Sequence, residues 1–393
     1  MDGAAQHATQ EETARNGALR TAQVSCDHPD PAGVLAAQLG AGPFDLVCLF
    51  VSPRADFHQV ILRSTGRLNA ANVMACTTAG EIGQTGYEDG QIIAVGMPSG
   101  LFQVSCYALG GLDKLDTKKV IDTLIQRRLA LLQNAPEMPH EFAFLLVDGL
   151  SMREEHLTDV LASGLGPMQL FGGSSGDDIH FRQTWLALNG QVMQNAAVLA
   201  MARTHCPVRV FSHDHLTPTA DRMVVTAAQP EQRLVCQING ETAAKEYARL
   251  LGKDPNQLTP FTFAAHPVVV RVGEAHHVRS IQRVTEDGAL VFFSAINEGM
   301  VLSLADHDDI AAALDDALSE LSHAEQPAQI LGCDCLLRRV AAEQGQQSRE
   351  ISRILARHHV VGFNTYGEQF GALHVNQTLT GVAIYPPPDP TRP

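Results

Sequence analysis

Residues 360–370, VVGFNTYGEQF, constrain this chain more than any other stretch, because weaker versions of them occur twice upstream. Two apolar residues lead into Gly362 and Phe363, and small and hydroxyl residues then close on Gly367 followed at once by Glu368. MACTTAGEIG places Gly80 before Glu81 in the same way, and LFGGSSGDD places Gly176 before Asp177. Ahead of each lies an apolar run (FDLVCLFVSP, EFAFLLVDGL, QILGCDCLL) and then a helical stretch. The Gly-acid turn falls roughly 30 or more residues after each run begins, about the length of a β-α-β unit. Self-similarity of this kind points to three copies of one such unit.

Between these copies strand and helix patterns alternate. TAQVSC reads as a strand and DPAGVLAAQLGAG as a short helix closed by glycine. Residues 55–69 read as a helix, and QIIAVGM and LFQVSCYAL as a hairpin pair of strands. Residues 116–133 have helical apolar spacing with a basic cluster on the other face. Ser151 is expected to cap the next helix, with Glu154 completing a capping box. Asn189-Gly190 between apolar runs marks a hairpin. The expected fold is α/β, with mixed sheets flanked by helices, built from pseudo-repeated β-α-β units in two intimately packed domains. Those domains are expected over 21–229 and 230–385, after a disordered lead-in over 1–20 and before a loose Pro-rich tail over 386–393.

A chain of 393 residues, 45% of them hydrophobic, can bury a large core. Its 43 acidic residues against 28 basic ones give a net charge of -15, which disfavours nucleic acid or an anionic membrane as partner. No apolar run is long enough to span a bilayer, and the polar N-terminus is unlike a signal peptide, so a cytoplasmic protein is expected. The 8 scattered cysteines suggest buried thiols rather than a disulfide framework.

With 17 histidines the chain invites a metal or cofactor reading. The sharpest cluster is His213-Asp214-His215, after the apolar VRVF. On a strand, both imidazoles would point to one side and could hold a metal, or one could ligate a haem iron; a polar turn is the commoner reading of such residues. Cys333 and Cys335 would share a strand face, yet two thiols do not close a zinc site. The adjacent pairs His276-His277 and His358-His359 cannot both aim at one point and read as solvated. Glu81, Asp177 and Glu368 stand at strand ends, where they could converge as catalytic groups or, more commonly, cap neighbouring backbone. FGGSSGDD has the glycines of an anion cradle without a cation on the turn, and no phosphate loop, nucleophile elbow or zinc-protease motif occurs. A non-enzymatic protein is expected.

FGGSSGDD, WLALNGQVMQNAAVLAM, MVVTAAQ, LVCQINGETAAKEYARLLG, GCDCLLRR and GFNTYGEQF together resemble the FIST family of paired N- and C-terminal sensory domains, over roughly 25–385. The resemblance implies a sensory module that binds a small ligand and acts on a separate signalling partner. FSHDHLTPTADRMVVTAA is similar to a haem-binding, nitric-oxide-sensing branch whose members regulate a histidine kinase, and through it cyclic-di-GMP signalling and biofilm formation. That branch implies haem b with His213 or His215 on the iron and Arg222 at a propionate, with nitric oxide as signal and a homodimer permitted. Other members of the family sense amino acids or similar metabolites, which would keep the fold without haem.

Overall fold

The computed structural model describes residues 18–272 and 275–388. Most of the expected lead-in and the last residues of the tail lie outside this range, and the first strand already begins at Arg20. Three β-α-β units are present. In the first, strands Phe44–Val51 and Ala70–Thr77 run parallel on either side of helix Phe57–Ser64. In the second, strands His140–Val147 and Leu170–Ser174 flank helix Glu154–Leu165. In the third, strands Gln329–Cys335 and Val360–Thr365 flank two helices, Leu336–Gln344 and Ser348–Arg357. Phe44–Val51 is buried along its whole length, which is why it reads as an unbroken apolar run rather than an alternating one.

Each unit carries the same two additions. An antiparallel strand (Gln91–Pro98, Ala196–Thr204 or Leu379–Ile384) pairs with the unit's first strand, and an edge strand (Arg20–Ser25, Phe102–Gly110 or Val208–His213) pairs with that. The other edge is closed by a hairpin borrowed from a different unit. The hairpin Glu81–Gly83/Gly86–Glu88 leaves the first unit and pairs with Val360–Thr365 of the third. The hairpin Glu368–Phe370/Leu373–Val375 leaves the third and pairs with Leu170–Ser174 of the second. The hairpin Leu186–Leu188/Gln191–Met193, turned at Asn189-Gly190, leaves the second and pairs with Ala70–Thr77 of the first. The exchange is circular and closes all three sheets. It also corrects the expected pairing of QIIAVGM with LFQVSCYAL. Those strands abut in sequence but belong to different units: Gln91–Pro98 lies between Arg20–Ser25 and Phe44–Val51 in the first, and Phe102–Gly110 is the edge strand of the second.

Aromatic side chains from all three units meet at the centre of this ring. Phe50 stacks on Phe363 at 4.6 Å and meets Phe144 edge-on at 6.3 Å, and Phe144 stacks on Phe171 at 5.0 Å. Such contacts add to the burial of large apolar surface.

The third unit alone is interrupted. Between its edge strand Val208–His213 and helix Ile310–Leu321 a separate antiparallel sheet is inserted, running from Leu216–Gln229 to Val301–His307. Leu216 pairs with His307, so the insert enters and leaves side by side. Pro230 lies inside this sheet, in the turn between the paired strands Leu216–Gln229 and Leu234–Ile238. Among the described residues no helix is long and apolar enough to cross a membrane.

Candidate functional site: a polar junction under the inserted sheet

In parallel α/β sheets ligands bind beyond the carboxyl ends of the strands. In the second unit those ends are covered by the hairpin from the third unit and by the inserted sheet. Helix Glu154–Leu165 opens there with two carboxylates, and the expected Ser151 capping box does not form: Arg153 occupies the cap position and makes no side-chain cap bond. Glu154 is instead drawn to Arg233 of the insert at 2.5 Å, and Glu155 meets the same guanidinium at 2.6 Å. The Ala295 N–H donates to the other Glu155 oxygen at 2.9 Å. This latch ties the insert to the second unit. The two carboxylates raise the Arg233 pKa against the opposing effect of burial, and Glu155, beside His374 and Arg233, has its pKa lowered despite burial.

Beside the latch lies a layer from the exchanged hairpin and its exit. Gln369 donates to Ser174 Oγ at 3.0 Å and lies 3.2 Å from His374 Nδ1. An amide nitrogen donates, so Nδ1 accepts and the neutral imidazole carries its proton on Nε2. Burial lowers the His374 pKa, opposed by Glu155 and Glu154. Ser294 of the insert reaches Asn376 at 3.5 Å. Gly367 leaves room for this layer: a Cβ there would overlap His374 and sit 2.8 Å from Asn376 Nδ2.

Most of the buried side-chain polar atoms that lack a hydrogen-bond partner among the described residues gather at this junction. They include Arg233 Nε, Arg279 Nε, Ser280 Oγ, His374 Nε2, Asn376 Nδ2 and both polar atoms of the Gln377 amide. Buried polar groups are ordinarily satisfied, and a cluster of exceptions calls for a ligand or ordered water. An open groove of about 970 Å³ lies elsewhere, lined in part by Gln23, Phe44, Gln84, His359 and Val361, and holds none of these atoms. We place the site by its chemistry rather than by volume.

The residues singled out from sequence lie apart from it. The strand ends at His213 and Asp214 breaks it, so the alternation that would put His213 and His215 on one face does not apply. His215 is buried with Nδ1 2.9 Å from the Arg338 guanidinium, which is itself paired to Asp334 at 2.8 Å. His213 keeps a buried, unpartnered Nε2, and burial together with the Arg338 charge lowers its pKa to about 4. Arg222 is exposed on the inserted sheet. The three residues differ in setting: His215 is engaged by a buried guanidinium, neither histidine lines the large groove, and Arg222 is exposed. Among the described residues no group of three His, Cys, Asp or Glu side chains is placed to hold a metal. Cys333 and Cys335 are fully buried, which pushes both thiols up. His358 lies 3.1 Å from Asp315, His276 is exposed and His277 half-buried.

The Gly-acid turns do structural work at each repeat. Thr78 donates to Glu81 at 2.5 Å, and the Gln91 N–H, at the start of the strand after the hairpin, donates to the other oxygen at 2.9 Å. Thr365 donates to Glu368, whose second oxygen accepts the Thr378 N–H at 3.2 Å. In the second unit Asp148 takes this part, accepting from Thr184 and from the Asn195 N–H, while Asp177 holds the loop through Arg182 N, Gln183 N and Tyr366.

Burial raises the Glu81 pKa to about 7 and the Glu368 pKa to about 8, from an ordinary 4.5. The folded protein therefore retains protons that the unfolded chain releases. The stability this contributes is full below about pH 4.5 and is lost as pH rises through about 8. Glu368→Gln is expected to remove the larger share of that decline. In urea unfolding the variant should match the parent near pH 5 and exceed it at pH 9 by a few kcal/mol, on the order set by the shift. A parallel decline in both proteins would count against a buried, protonated Glu368.

Family models for the FIST N domain and the FIST C domain match residues 45–241 and 243–371, end to end along the chain. The chain belongs to the FIST family. Among curated proteins none matches it. As a paired FIST protein it is a sensory module of signal transduction, and its α/β architecture of mixed sheets flanked by helices is the one the sequence leads us to expect. The junction lies where the matched halves meet: Glu154 and Arg233 fall in the FIST N match, Arg279 and Ser280 in the FIST C match, and His374, Asn376 and Gln377 just beyond it. Apart from Glu154, read there as part of a helix cap, none of these residues stands out in the sequence. The one available signal is the polar run Asn376-Gln377-Thr378 set between apolar strands, where a buried hairpin exit would otherwise be apolar.

Proposed function

We propose that this FIST protein senses a small polar molecule bound in the junction, and signals it to a separate partner by fixing the inserted sheet against the second unit. The gathering of unpartnered buried polar atoms at one inter-unit seam supports this reading. A ligand that satisfies them binds only when insert, exchanged hairpin and helix Glu154–Leu165 are closed together, so binding shifts the population toward that arrangement. The partner is a histidine kinase if the resemblance extends that far, and the reaction at the site is binding rather than turnover.

Asn376→Leu tests the proposal. Asn376 Nδ2 has no partner among the described residues and its oxygen holds only a long contact with Ser294, so an apolar group of similar size costs little, whereas the same change removes a ligand contact. The variant is expected to melt at or above the temperature of the ligand-free parent. Native mass spectrometry is expected to detect a bound small molecule on the purified parent and none on the variant. A variant that melts several degrees lower and keeps its ligand would show that Asn376 only supports the fold.

A second reading, a haem-dependent nitric oxide sensor, is favoured by one observation. The His213 Nε2 is buried, unpartnered and held neutral, as an axial ligand must be. Haem would supply the centre that binds nitric oxide. An absorption spectrum of protein mixed with haem decides the matter: a sharp band that His213→Ala abolishes supports this reading, and a broad band typical of unbound haem ends it.

A further inference from the structure

The donors and acceptors at the junction are unbalanced, and the imbalance indicates the ligand's charge; this inference rests on the binding role proposed for the junction. Arg279 ends strand Ala275–Arg279, and its Nη1 donates to the Val278 carbonyl at 3.0 Å while Nε has no partner. Burial lowers the Arg279 pKa, with Glu155 opposing. Both nearby carboxylates are already engaged, Glu154 by Arg233 and Glu155 by Arg233 and Ala295. Among the described residues Arg279 is thus a half-buried guanidinium with a buried, unpartnered Nε and a hydrogen bond to a backbone carbonyl, whereas charges taken out of water are ordinarily paired.

The unpartnered atoms around it are mainly donors: Arg233 Nε, His374 Nε2, Asn376 Nδ2 and the Gln377 amide nitrogen. Among the described residues the unpartnered acceptors here are the Gln369 and Gln377 amide oxygens, and Ser280 Oγ can act either way. A surplus of donors beside an unpaired guanidinium suits a ligand rich in acceptors and negatively charged, and a guanidinium edge matches the planar two-oxygen face of a carboxylate. The walls are tight, because Asn376, Gln377, Gln369 and Ser280 are fully buried and Gly367 cannot carry a side chain. We propose that the junction binds a compact carboxylate, anchored by Arg279, whose hydroxyl or other donor faces Gln369 and Gln377.

The test uses the full chain and calorimetric titration with glycolate, lactate and malate, each compared with its uncharged amide, and with inorganic phosphate. At least one of the hydroxy acids is expected to bind while its amide does not. Arg279→Gln should weaken that acid by about tenfold or more, the worth of a charge-assisted contact. Arg279→Lys, which keeps the charge but loses the planar fork, should fall between. Amides that bind as well as acids, a preference for phosphate, undiminished binding by Arg279→Gln, or no binding of any acid would each overturn the carboxylate assignment. The comparison of acid with amide on the parent protein stands even where a variant fails to fold. The binding role itself is judged separately by the ligand found on the parent and lost from Asn376→Leu, so the two ideas fail by different results.

Discussion

Cut at residue 242, between the two FIST matches, the chain is expected to give a C-terminal piece that does not fold and an N-terminal piece that aggregates. The circular hairpin exchange is the reason. The C-terminal piece, 243–393, keeps Val360–Thr365 but loses the hairpin Glu81–Gly83/Gly86–Glu88 that pairs with it, and loses the edge strand Val208–His213. It also keeps Val301–His307 of the inserted sheet without its partner Leu216–Gln229. The N-terminal piece exposes Phe50 where Phe363 stacked, and leaves Leu170–Ser174 as an open strand edge. An exposed apolar edge strand of that kind seeds aggregation. Far-ultraviolet circular dichroism and light scattering of the separate pieces would show this, and co-expression is expected to restore one soluble complex. A contrasting deletion sharpens the test. Removing 216–307 and joining the ends with a few glycines and serines should leave the three-unit ring folded, because Leu216 and His307 are already paired neighbours. Two pieces that fold independently would mean that the exchanged hairpins contribute little.

The parts of this architecture legible in the sequence are those that depend on local pattern. Continuous apolar runs marked the first strand of each unit, and Asn189-Gly190 turned the hairpin it foretold. The Gly-acid echo marks a carboxylate, Glu81 or Glu368, that accepts a backbone N–H at the hairpin exit of the first and third units, whereas in the second that part falls to Asp148 and Asp177 holds its own loop. The exchange of hairpins was not legible. Strand partners separated by hundreds of residues, such as Phe363 and Glu81, leave no periodic trace. The Ser151 capping box failed for a related reason, since Glu154 finds Arg233 of the insert, 79 positions away. The site suffered most. Richness in histidine drew attention to His213 and His215, while the junction is assembled from single residues on a helix, an inserted sheet and a borrowed hairpin. Its chemistry exists only once these elements are brought together.

Gly362→Ala is expected to be the most damaging single methyl group that can be added to the third unit. Gly362 is the Cα partner of Gly332 in the parallel pair of Gln329–Cys335 with Val360–Thr365. A Cβ on Gly362 would overlap the Gly332 carbonyl, which is backbone in the middle of a sheet and has no rotamer by which to yield. Relief requires the two strands to separate, and that loosens the Phe363 stack on Phe50 and the pairing of Glu81 with Phe363. Overpacking in cores usually costs about 1–3 kcal/mol, and a clash with backbone belongs at or above the top of that range. Gly332→Ala is the control. Its Cβ would meet the Val360 Cγ1 at 3.1 Å and a Leu379 methyl at 3.4 Å, side-chain contacts that can shift by a few tenths of an ångström. The two variants add the same atom to facing residues of one sheet, so a melting-temperature comparison isolates the close approach of the strands. Gly362→Ala should lower the melting temperature by several degrees more than Gly332→Ala, or abolish soluble expression. Equal, small effects would mean that the strands are not held this close. The third unit would then lack the rigid backing that lets the hairpin at Glu368 present His374 and Asn376 to the junction.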